Sequence, residues 1–363
     1  MVNILHLELS NSVGGIETFL MNVYRNIDRN KYHFDFITSY ENPALGKDFT
    51  EMGCRIYKIA SCVNFFKYIN DLKDIIIKNN YDIVHIHKNS AINILPIIIA
   101  KKYANKVIIH SHNTRPSKDC RFNFIHYLNR LFLKDCSYRL ACSEMAGKWL
   151  YGRKTEFNVI KNGIDLNKYL FDYDNFYSVR QAFSIPYDAL VIGHVGRFTE
   201  QKNHKKLIEI FENIFKLNPN SYLLLIGDGA KKSEIQEIVN FKEYSNNVLF
   251  LGNRSDVNII LQSFDAFIMP SLYEGMPIVS IEAQATGCKT FLSSFITHEA
   301  EVTENVVWFE VDDSSCEISE LVINSLREKY DRKKANNQVR VSKYDIMDTV
   351  KSISSVYDYV VRK

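Results

Sequence analysis

The chain has 363 residues, of which 46% are hydrophobic and 24% are charged, and its formal net charge is +3 at pH 7. This length exceeds the size at which one hydrophobic core stops growing, so the sequence predicts two domains. The small net charge and the lack of a basic block argue against nucleic acid as a partner. No charged leader precedes the first apolar run, and no apolar run approaches the roughly 20 residues of a membrane span, so we expect a cytoplasmic protein.

The first half of the chain alternates short apolar segments with longer amphipathic ones. We predict strands at 3–7, 34–38, 83–86, 107–109 and 138–141, and helices at 16–27, 65–78 and 122–133. Strands that alternate with helices of this length are typical of a parallel sheet covered on both faces.

Two loops of this half are candidates for ligand contact. Gly14 and Gly15 separate the first strand from the first helix and would let the backbone approach a phosphate closely. The turn does not have the GxGxxG spacing of a dinucleotide site, and a tight turn without a ligand is the alternative. Of the ten histidines we select His112, which follows the strand at 107–109, although a structural role is the alternative.

Residues 101–139 are rich in cations and aromatic residues. Two aspartates stand against nine basic residues, namely Lys101, Lys102, Lys106, Arg115, Lys118, Arg121, Arg130, Lys134 and Arg139. A basic helix at 122–133 that also carries aromatic side chains predicts contact with anionic lipid headgroups. The alternative is a helix that faces the core and has a solvated basic edge.

A break between the two halves is predicted at Asn162-Gly163-Ile164-Asp165, which has the composition of a turn. The second half then repeats the alternation, with strands at 191–195, 222–226, 248–251, 266–269 and 290–292 and helices at 205–217, 231–240 and 277–285. We therefore predict domains at 1–165 and 166–342 and a final helical segment at 343–363. The architecture is α/β, with two doubly wound parallel-sheet domains facing a cleft.

Metal binding is not predicted. The seven cysteines are scattered without the paired spacing of a zinc site. The Asp172-Tyr173-Asp174 triplet has a spacing that binds metal–nucleotide complexes elsewhere, but it lies between the predicted domains and does not follow a strand.

The loop after the strand at 191–195 carries two cations five residues apart, Arg197 and Lys202. A guanidinium offers a bidentate fork and an ammonium a point charge, so together they can hold two phosphates and neutralise a departing diphosphate. Surface cations at a helix start are the alternative. Gly227, Asn253 and Arg254 end the next two strands and could line a pocket for the base.

The segment from Glu274 to Glu282 is the strongest local signal. Glu274 lies in a loop where it can accept hydrogen bonds from sugar hydroxyls, and Glu282 lies on the following helix within reach of a ribose. Between them, Gly275, Met276, Pro277 and Ile278 open that helix, whose free amides and dipole favour a diphosphate. The alternative is that both carboxylates only cap or solvate the helix.

Taken together, these motifs resemble glycosyltransferase family 4, whose members are retaining enzymes of the GT-B fold. The resemblance rests on the E-x7-E segment at Glu274 and Glu282, the Gly-Arg…Lys-Asn loop at 196–203, the Gly14-Gly15 turn and the Asn162-Gly163-Ile164-Asp165 break. It implies that Glu274 binds the transferred sugar, that Glu282 binds the ribose, and that Arg197 and Lys202 bind the diphosphate. Amides of Gly15 and of residues 276–278 would complete the phosphate site. His112 would lie near the anomeric carbon, and the last helix would return to the first domain.

The implied reaction is a metal-independent transfer with retention, in which the departing phosphate takes the proton of the acceptor. It requires no cofactor. Similarity to bacterial exopolysaccharide and capsule enzymes implies transfer of a hexose or N-acetylhexosamine from a UDP-sugar. From the basic, aromatic segment at 101–139 we expect a lipid-linked saccharide as acceptor at the inner face of the membrane. The alternatives are a GDP-mannose-dependent mannosyltransferase, a GT-B sugar-nucleotide epimerase and a binding module without turnover.

Overall fold

The computed structural model describes residues 1–113, 120–328 and 330–363, and it divides the chain into two compact units. Unit 1 comprises Met1–Gly163 and Ile346–Lys363, and unit 2 comprises Ile164–Asp345. These limits differ from those expected from the sequence, 165 and 342, by two and three residues. Arg115 and Lys118 of the basic segment lie outside the described residues.

Unit 1 contains a seven-stranded sheet whose strands are all parallel, in the order β3-β2-β1-β4-β5-β6-β7. The strands are β1 Val2–Leu9, β2 Tyr32–Thr38, β3 Ile56–Lys58, β4 Ile83–Lys88, β5 Val107–Ser111, β6 Tyr138–Ala141 and β7 Asn158–Val159. The helices are α1 Gly15–Asn26, α2 Gly46–Glu51, α3 Phe65–Asn79, α4 Leu95–Tyr103, α5 Cys120–Asn129, α6 Glu144–Tyr151 and α14 Ile346–Arg362.

The strands of unit 1 are buried on both faces because helices cover both. Successive side chains of a strand point to opposite faces, so Ile83 packs with α1 and α14 whereas Val84 packs with α3 and α4. The final helix α14 contributes Ile353 and Tyr357 to the same core cluster as Phe34. The carboxyl-terminal segment thus packs within unit 1.

Unit 2 contains a six-stranded parallel sheet in the order β10-β9-β8-β11-β12-β13. Its strands are β8 Leu190–Val195, β9 Ser221–Ile226, β10 Val248–Gly252, β11 Ala266–Met269, β12 Lys289–Ser293 and β13 Val306–Phe309. Its helices are α7 Tyr173–Ala182, α8 His204–Leu217, α9 Lys232–Asn240, α10 Val257–Ile260, α11 Ile278–Ala285, α12 Ser315–Leu326 and α13 Arg332–Val341.

Both sheets confirm the predicted doubly wound α/β class. The strand order reverses between β1 and β4 in unit 1 and between β8 and β11 in unit 2. Ligands of doubly wound sheets bind outside the carboxyl ends of the strands at such a reversal. The loops after β1, β8 and β11 are those that carry the predicted phosphate and sugar contacts.

Three local expectations are refined. The predicted helix at 122–133 is α5 followed by a 3-10 turn, Arg130–Leu133. Pro277 is the N-cap of α11, so the helix begins one residue later than expected. Asp172 is the N-cap of α7 and its carboxylate accepts a hydrogen bond from the Asp174 backbone N–H at 3.0 Å, which gives this triplet a structural role.

Within the described residues, none of the helices combines the length and apolar character that crossing a bilayer requires.

Candidate functional site

In unit 2 the loop after β8 is fixed by backbone hydrogen bonds to the loop after β9. The Gly196 N–H donates to the Ile226 carbonyl at 2.9 Å and the Phe198 N–H to the Asp228 carbonyl at 3.0 Å. Gly227 adopts a φ of +132°, and a Cβ there would lie 2.2 Å from the Gly196 carbonyl oxygen. Only glycine allows the two loops to approach this closely.

The same β8 loop is bound to the loop after β11. The Leu272 N–H donates to the Gln201 carbonyl at 2.8 Å, and the Gln201 side-chain amide donates to the Tyr273 carbonyl at 2.9 Å. These bonds bring two predicted site residues together. Lys202 Nζ lies 2.8 Å from Glu274 Oε1, and their side chains are only 15% and 12% exposed.

Glu274 is held from a second side, because the Ser271 hydroxyl donates to Glu274 Oε1 at 3.3 Å. Arg197 lies at the start of the β8 loop, and the space above Gly229 is bounded by the Arg197 side chain and by the Phe198 backbone. The β8 loop and the β11 loop therefore present a cation and a carboxylate in one constellation at the strand reversal.

Glu282 lies on α11 and is partly buried. The Tyr169 hydroxyl donates to Glu282 Oε1 at 2.7 Å. Burial raises the pKa of Glu282, and the hydrogen bond from Tyr169 opposes that shift. Tyr169 was not selected from the sequence, since it lies 113 residues away in a 3-10 turn, Leu166–Tyr169, and no spacing links it to α11.

Met276 anchors the start of α11, because its side chain is buried and its sulfur accepts a weak hydrogen bond from the Tyr344 hydroxyl at 3.6 Å. Gly275 precedes Met276 in the loop, Pro277 is the N-cap, and Ile278 is the first residue of α11. The adjacent loops after β9 and β10 are joined by the Gly227 N–H, which donates to the Gly252 carbonyl at 2.8 Å.

Two of the residues selected for the base pocket lie on the β10 loop. Arg254 forms an ion pair with Asp256 at 2.6 Å, and both side chains are more than one third exposed. The charge of Arg254 is thus already paired within its own loop, and its neighbour Asn253 is also exposed.

In unit 1 the glycine turn after β1 is organised by Glu17. The carboxylate of Glu17 accepts hydrogen bonds from the Ser10 and Gly14 backbone N–H groups, each at 3.1 Å. A Cβ at Gly15 would meet no atom within 4 Å, so open space adjoins the first residue of α1.

His112 directly follows β5, and its N–H donates to the Lys88 carbonyl at 2.9 Å. Its Nε2 lies 2.9 Å from Nδ1 of His87. Burial lowers the pKa of His112 to about 3, so the ring is neutral at neutral pH.

At the same edge, Lys88 forms an ion pair with Glu8 at 2.6 Å, and the Lys88 side chain is only 6% exposed. Glu8 has a φ of +72°, which is unusual for a residue other than glycine and marks a conformationally constrained strand end. Lys88, Glu8 and His87 were not predicted from the sequence. The available signal was the polar end of β4, where His87 and Lys88 follow an apolar start next to the strand reversal.

The α5 segment exposes a large apolar surface. Seven aromatic or aliphatic side chains between 38% and 65% exposed lie on it and on its 3-10 extension, namely Phe122, Phe124, Ile125, Tyr127, Leu128, Leu131 and Phe132. The opposite face is anchored by His126, which accepts from the Ala91 N–H at 2.9 Å, in the loop that leaves β4. The exposed face therefore lies beside the carboxyl edge of the unit 1 sheet.

Two family models match consecutive parts of the chain. The model for glycosyltransferase family 4 matches residues 13–168, and the model for glycosyl transferases group 1 matches residues 177–342.

Several bacterial glycosyltransferases are similar to the chain over part or all of its length. EpsF of Bacillus subtilis strain 168, named as a glycosyltransferase, is 32% identical over 82% of this chain and 80% of its own. The UDP-Gal:alpha-D-GlcNAc-diphosphoundecaprenol alpha-1,3-galactosyltransferase of Escherichia coli is 26% identical over 100% of this chain and 98% of its own. Further similar proteins are named for capsule and amylovoran synthesis.

Among solved structures, HepE of Anabaena in complex with UDP superposes with a TM-score of 0.81 at 18% identity, over 99% of this chain and 100% of that chain. The same protein has also been solved with UDP-glucose. At this identity the similarity shows the fold, and it confirms the GT-B fold expected from the motifs.

Proposed function

Because the chain belongs to the family 4 glycosyltransferases, we propose that it transfers a hexose or N-acetylhexosamine from a UDP-sugar to a lipid-linked saccharide. The product would enter a bacterial exopolysaccharide, capsule or lipopolysaccharide. The observation that carries this proposal is the Lys202–Glu274 pair, 2.8 Å apart at the strand reversal of unit 2. Such a pair can hold a diphosphate and the hydroxyls of the attached sugar at the same time.

In this proposal the donor is held by separate groups for each of its parts. Lys202 and Arg197 bind the diphosphate, together with amides of residues 276–278 at the start of α11. Glu274 accepts hydrogen bonds from sugar hydroxyls, and Glu282, oriented by Tyr169, accepts from the ribose. Gly227, Asn253 and Arg254 border the base, and Gly15 of unit 1 adds an amide to the diphosphate.

We further propose transfer with retention and without a metal ion. Lys202 and Arg197 supply positive charge where the nucleoside diphosphate departs, which is the role a divalent metal has in other transferases. The acceptor hydroxyl attacks the face that the phosphate leaves, its proton passes to the departing phosphate oxygen, and His112 contacts the donor near the anomeric carbon. The 1H coupling constant of the new anomeric proton tests retention, and loss of activity with EDTA would contradict metal independence.

A UDP-sugar is favoured because the relative from E. coli is named for UDP-Gal and HepE has been solved with UDP and with UDP-glucose. A lipid-linked acceptor is favoured because the same E. coli enzyme is named for a diphosphoundecaprenol acceptor. The exposed apolar side chains of α5, beside the carboxyl edge of the unit 1 sheet, fit peripheral contact with an anionic membrane that carries such an acceptor.

One assay separates this function from the alternatives. The purified protein is incubated with UDP- and GDP-sugars, with and without a lipid-linked saccharide, and the release of nucleoside diphosphate is measured. We expect release from a UDP-sugar only when the acceptor is present. Release with GDP-mannose alone among the donors would indicate a mannosyltransferase, conversion of the donor without acceptor an epimerase, and no turnover with any pair a binding module.

A further inference from the structure

Five histidines lie on one face of the unit 1 sheet. The parallel register pairs His6 with His85 and His87 with His110, and His112 follows His110 by two residues. Since side chains two residues apart on a strand point to the same face, all five rings project toward α1 and α14. Four of the five are at most 3% exposed and His112 is partly buried.

Burial lowers the pKa of each of these histidines, so all five rings are neutral at neutral pH. A neutral imidazole carries one N–H and one lone pair, and the position of one fixes the position of the other. Any contact between two such rings therefore constrains the tautomer of both.

Three of the rings form a hydrogen-bonded chain. Nδ1 of His6 lies 3.0 Å from Nε2 of His87, and Nδ1 of His87 lies 2.9 Å from Nε2 of His112. Both hydrogen bonds can exist together only if the three rings share one tautomer, with every N–H on Nδ1 or every N–H on Nε2. The chain runs from the interior of the sheet to His112 at its carboxyl edge.

The ends of the chain indicate which tautomer is present. Among the described residues, neither Nε2 of His6 nor Nδ1 of His112 has a hydrogen-bond partner. His6 is 1% exposed, and its ring centroid is 4.3 Å from that of Phe34. Both of these nitrogens are buried, so either tautomer leaves one buried N–H without an acceptor, on Nε2 of His6 beside Phe34 or on Nδ1 of His112 at the carboxyl edge of the sheet. Only the second lies at the edge where ligands of doubly wound sheets bind, and a ligand oxygen there would supply the missing acceptor, which favours N–H groups on Nδ1.

We propose that His6 and His87 are positioning residues that hold His112 in its Nδ1–H tautomer, so that His112 donates a hydrogen bond to a hydroxyl oxygen of the bound sugar. The proposal rests on the proposed function in placing the donor beside His112. Without the chain, His112 would exchange between tautomers, and only one of them can donate from Nδ1. The chain thereby fixes which hydrogen-bond role the ring offers to the donor.

The same face brings ring nitrogens of His6, His85 and His87, and of His87, His110 and His112, within 4.8 Å of one another. A metal ion bound there would occupy the lone pairs on which the chain depends. The metal content of the purified protein therefore tests directly whether the hydrogen-bonded chain of His6, His87 and His112 exists.

The first test uses protein labelled with 15N-histidine and long-range 1H–15N spectra of the wild type, His87→Phe and His110→Phe. His110→Phe is the matched control, because His110 is equally buried on the same face and has no hydrogen-bond partner among the described residues. We expect a protonated Nδ1 of His112 in the wild type and in His110→Phe, and a mixture of tautomers in His87→Phe. A mixture in the wild type, or an unchanged tautomer in His87→Phe, would overturn the proposal.

The second test is kinetic. We expect kcat to fall on the order of tenfold in His87→Phe with a smaller change in the donor KM, because the lost interaction acts on the reacting sugar. We expect His110→Phe to stay within about twofold of wild type. Equal losses of kcat in both variants would overturn the proposal.

Two controls keep the outcome decisive. If His87→Phe does not fold, His6→Phe takes its place. Without the His6 ring, the hydrogen bond between His87 and His112 can run in either direction, so the tautomer of His112 is again free. Stoichiometric zinc or copper in the purified protein, with histidine signals that shift on treatment with EDTA, would contradict the proposed hydrogen bonds between the three histidines. The spectra are recorded without donor or acceptor, so a failure of the proposed transfer reaction would leave their result intact.

Discussion

In the proposed donor site, the Lys202–Glu274 ion pair would have two consequences. With both side chains largely withdrawn from water, each group is held in place before the donor arrives. The pair also keeps Lys202 from being an unpaired, partly buried charge, so the proposed contact with a phosphate would extend an existing network.

Replacement of Glu274 by alanine is expected to lower kcat by about 100-fold or more, because it would remove the proposed contacts to the reacting sugar and would free Lys202 from its fixed position. Glu274→Gln should recover part of the activity, since the amide can still accept a hydrogen bond. Steady-state kinetics with saturating acceptor measure both variants. Glu200→Ala, on the same loop but with a side chain 64% exposed, is the control, and full activity in Glu274→Ala would refute the site.

Glu282 is expected to act on donor affinity more than on chemistry. Glu282→Ala should raise the donor Kd roughly 10- to 100-fold, because a hydrogen bond from the ribose to a carboxylate contributes about 1.5–3 kcal/mol. Tyr169→Phe removes only the hydroxyl that orients Glu282 and should give a smaller increase. Isothermal titration with the nucleoside diphosphate measures both. A loss of kcat without any change in Kd would assign Glu282 a different role.

At the scale of elements, sequence patterns identified the strands and glycine loops of both units well. Strands such as β9 and β11 are largely continuous apolar runs, and the residues that follow them could be assigned to one sheet edge. Short or half-buried strands were missed, because β3 and β7 have three and two residues and carry no periodicity. Tyr169 and Glu8 were missed for a different reason, since their roles depend on contacts between distant segments.

The junction of the β8 and β9 loops depends on Gly227. Gly227→Ala should lower donor affinity and stability, because the new methyl group would lie 2.2 Å from the Gly196 carbonyl oxygen and force the Arg197 loop away. Gly252→Ala is the control, since Gly252 also has a positive φ, +66°, but a Cβ there meets no atom within 4 Å. Thermal denaturation with and without UDP measures both effects. Equal losses in the two variants would show that backbone strain, and not loop contact, is responsible.

The α5 surface tests the proposed membrane contact. The first variant reverses the charges of Arg121, Arg130 and Lys134. A second, separate variant carries Phe124→Ser and Leu131→Ser, at the two most exposed of the seven apolar positions, which are 65% and 61% exposed. Both variants should bind vesicles containing anionic lipid more weakly than the wild type, because apolar burial and charge attraction both contribute.

Arg130 needs its own control in that experiment. Its guanidinium donates to the carbonyls of Lys148 and Trp149, so its replacement also removes hydrogen bonds to α6. The variant with only Arg121 and Lys134 reversed separates the two effects. Sedimentation with vesicles at low and high salt measures binding, and unchanged binding in all variants would refute membrane contact by α5.

At the scale of the whole molecule, the two units differ in their content of buried neutral histidines. Burial lowers the pKa of six histidines in unit 1, to about 3 for His6 and His112 and to about 4 for His126, and well below the usual value for His85, His87 and His110. In unit 2 only His194 and His204 are shifted in this way.

This difference predicts that unit 1 loses stability first on acidification. A histidine with a lowered folded pKa binds more protons when unfolded, so its contribution is complete above the unfolded pKa of about 6.5 and is lost as the pH falls from there toward the folded value. Each such group contributes about 1.4 kcal/mol per pH unit in that window. Between pH 7 and pH 5 the free energy of unfolding should therefore fall more in unit 1 than in unit 2.

Urea titrations at pH 7 and pH 5, followed by pulse proteolysis and mass spectrometry of the fragments, measure the two units separately. We expect fragments of α1 and α14 to be released at lower urea than fragments of α8 when the pH is 5. His110→Phe removes one titrating group without adding a charge, so it should reduce the pH dependence of unit 1 by up to about 1.4 kcal/mol per pH unit. If both units lost stability in parallel, or if His110→Phe left the slope unchanged, proton uptake by this histidine face would not control acid unfolding.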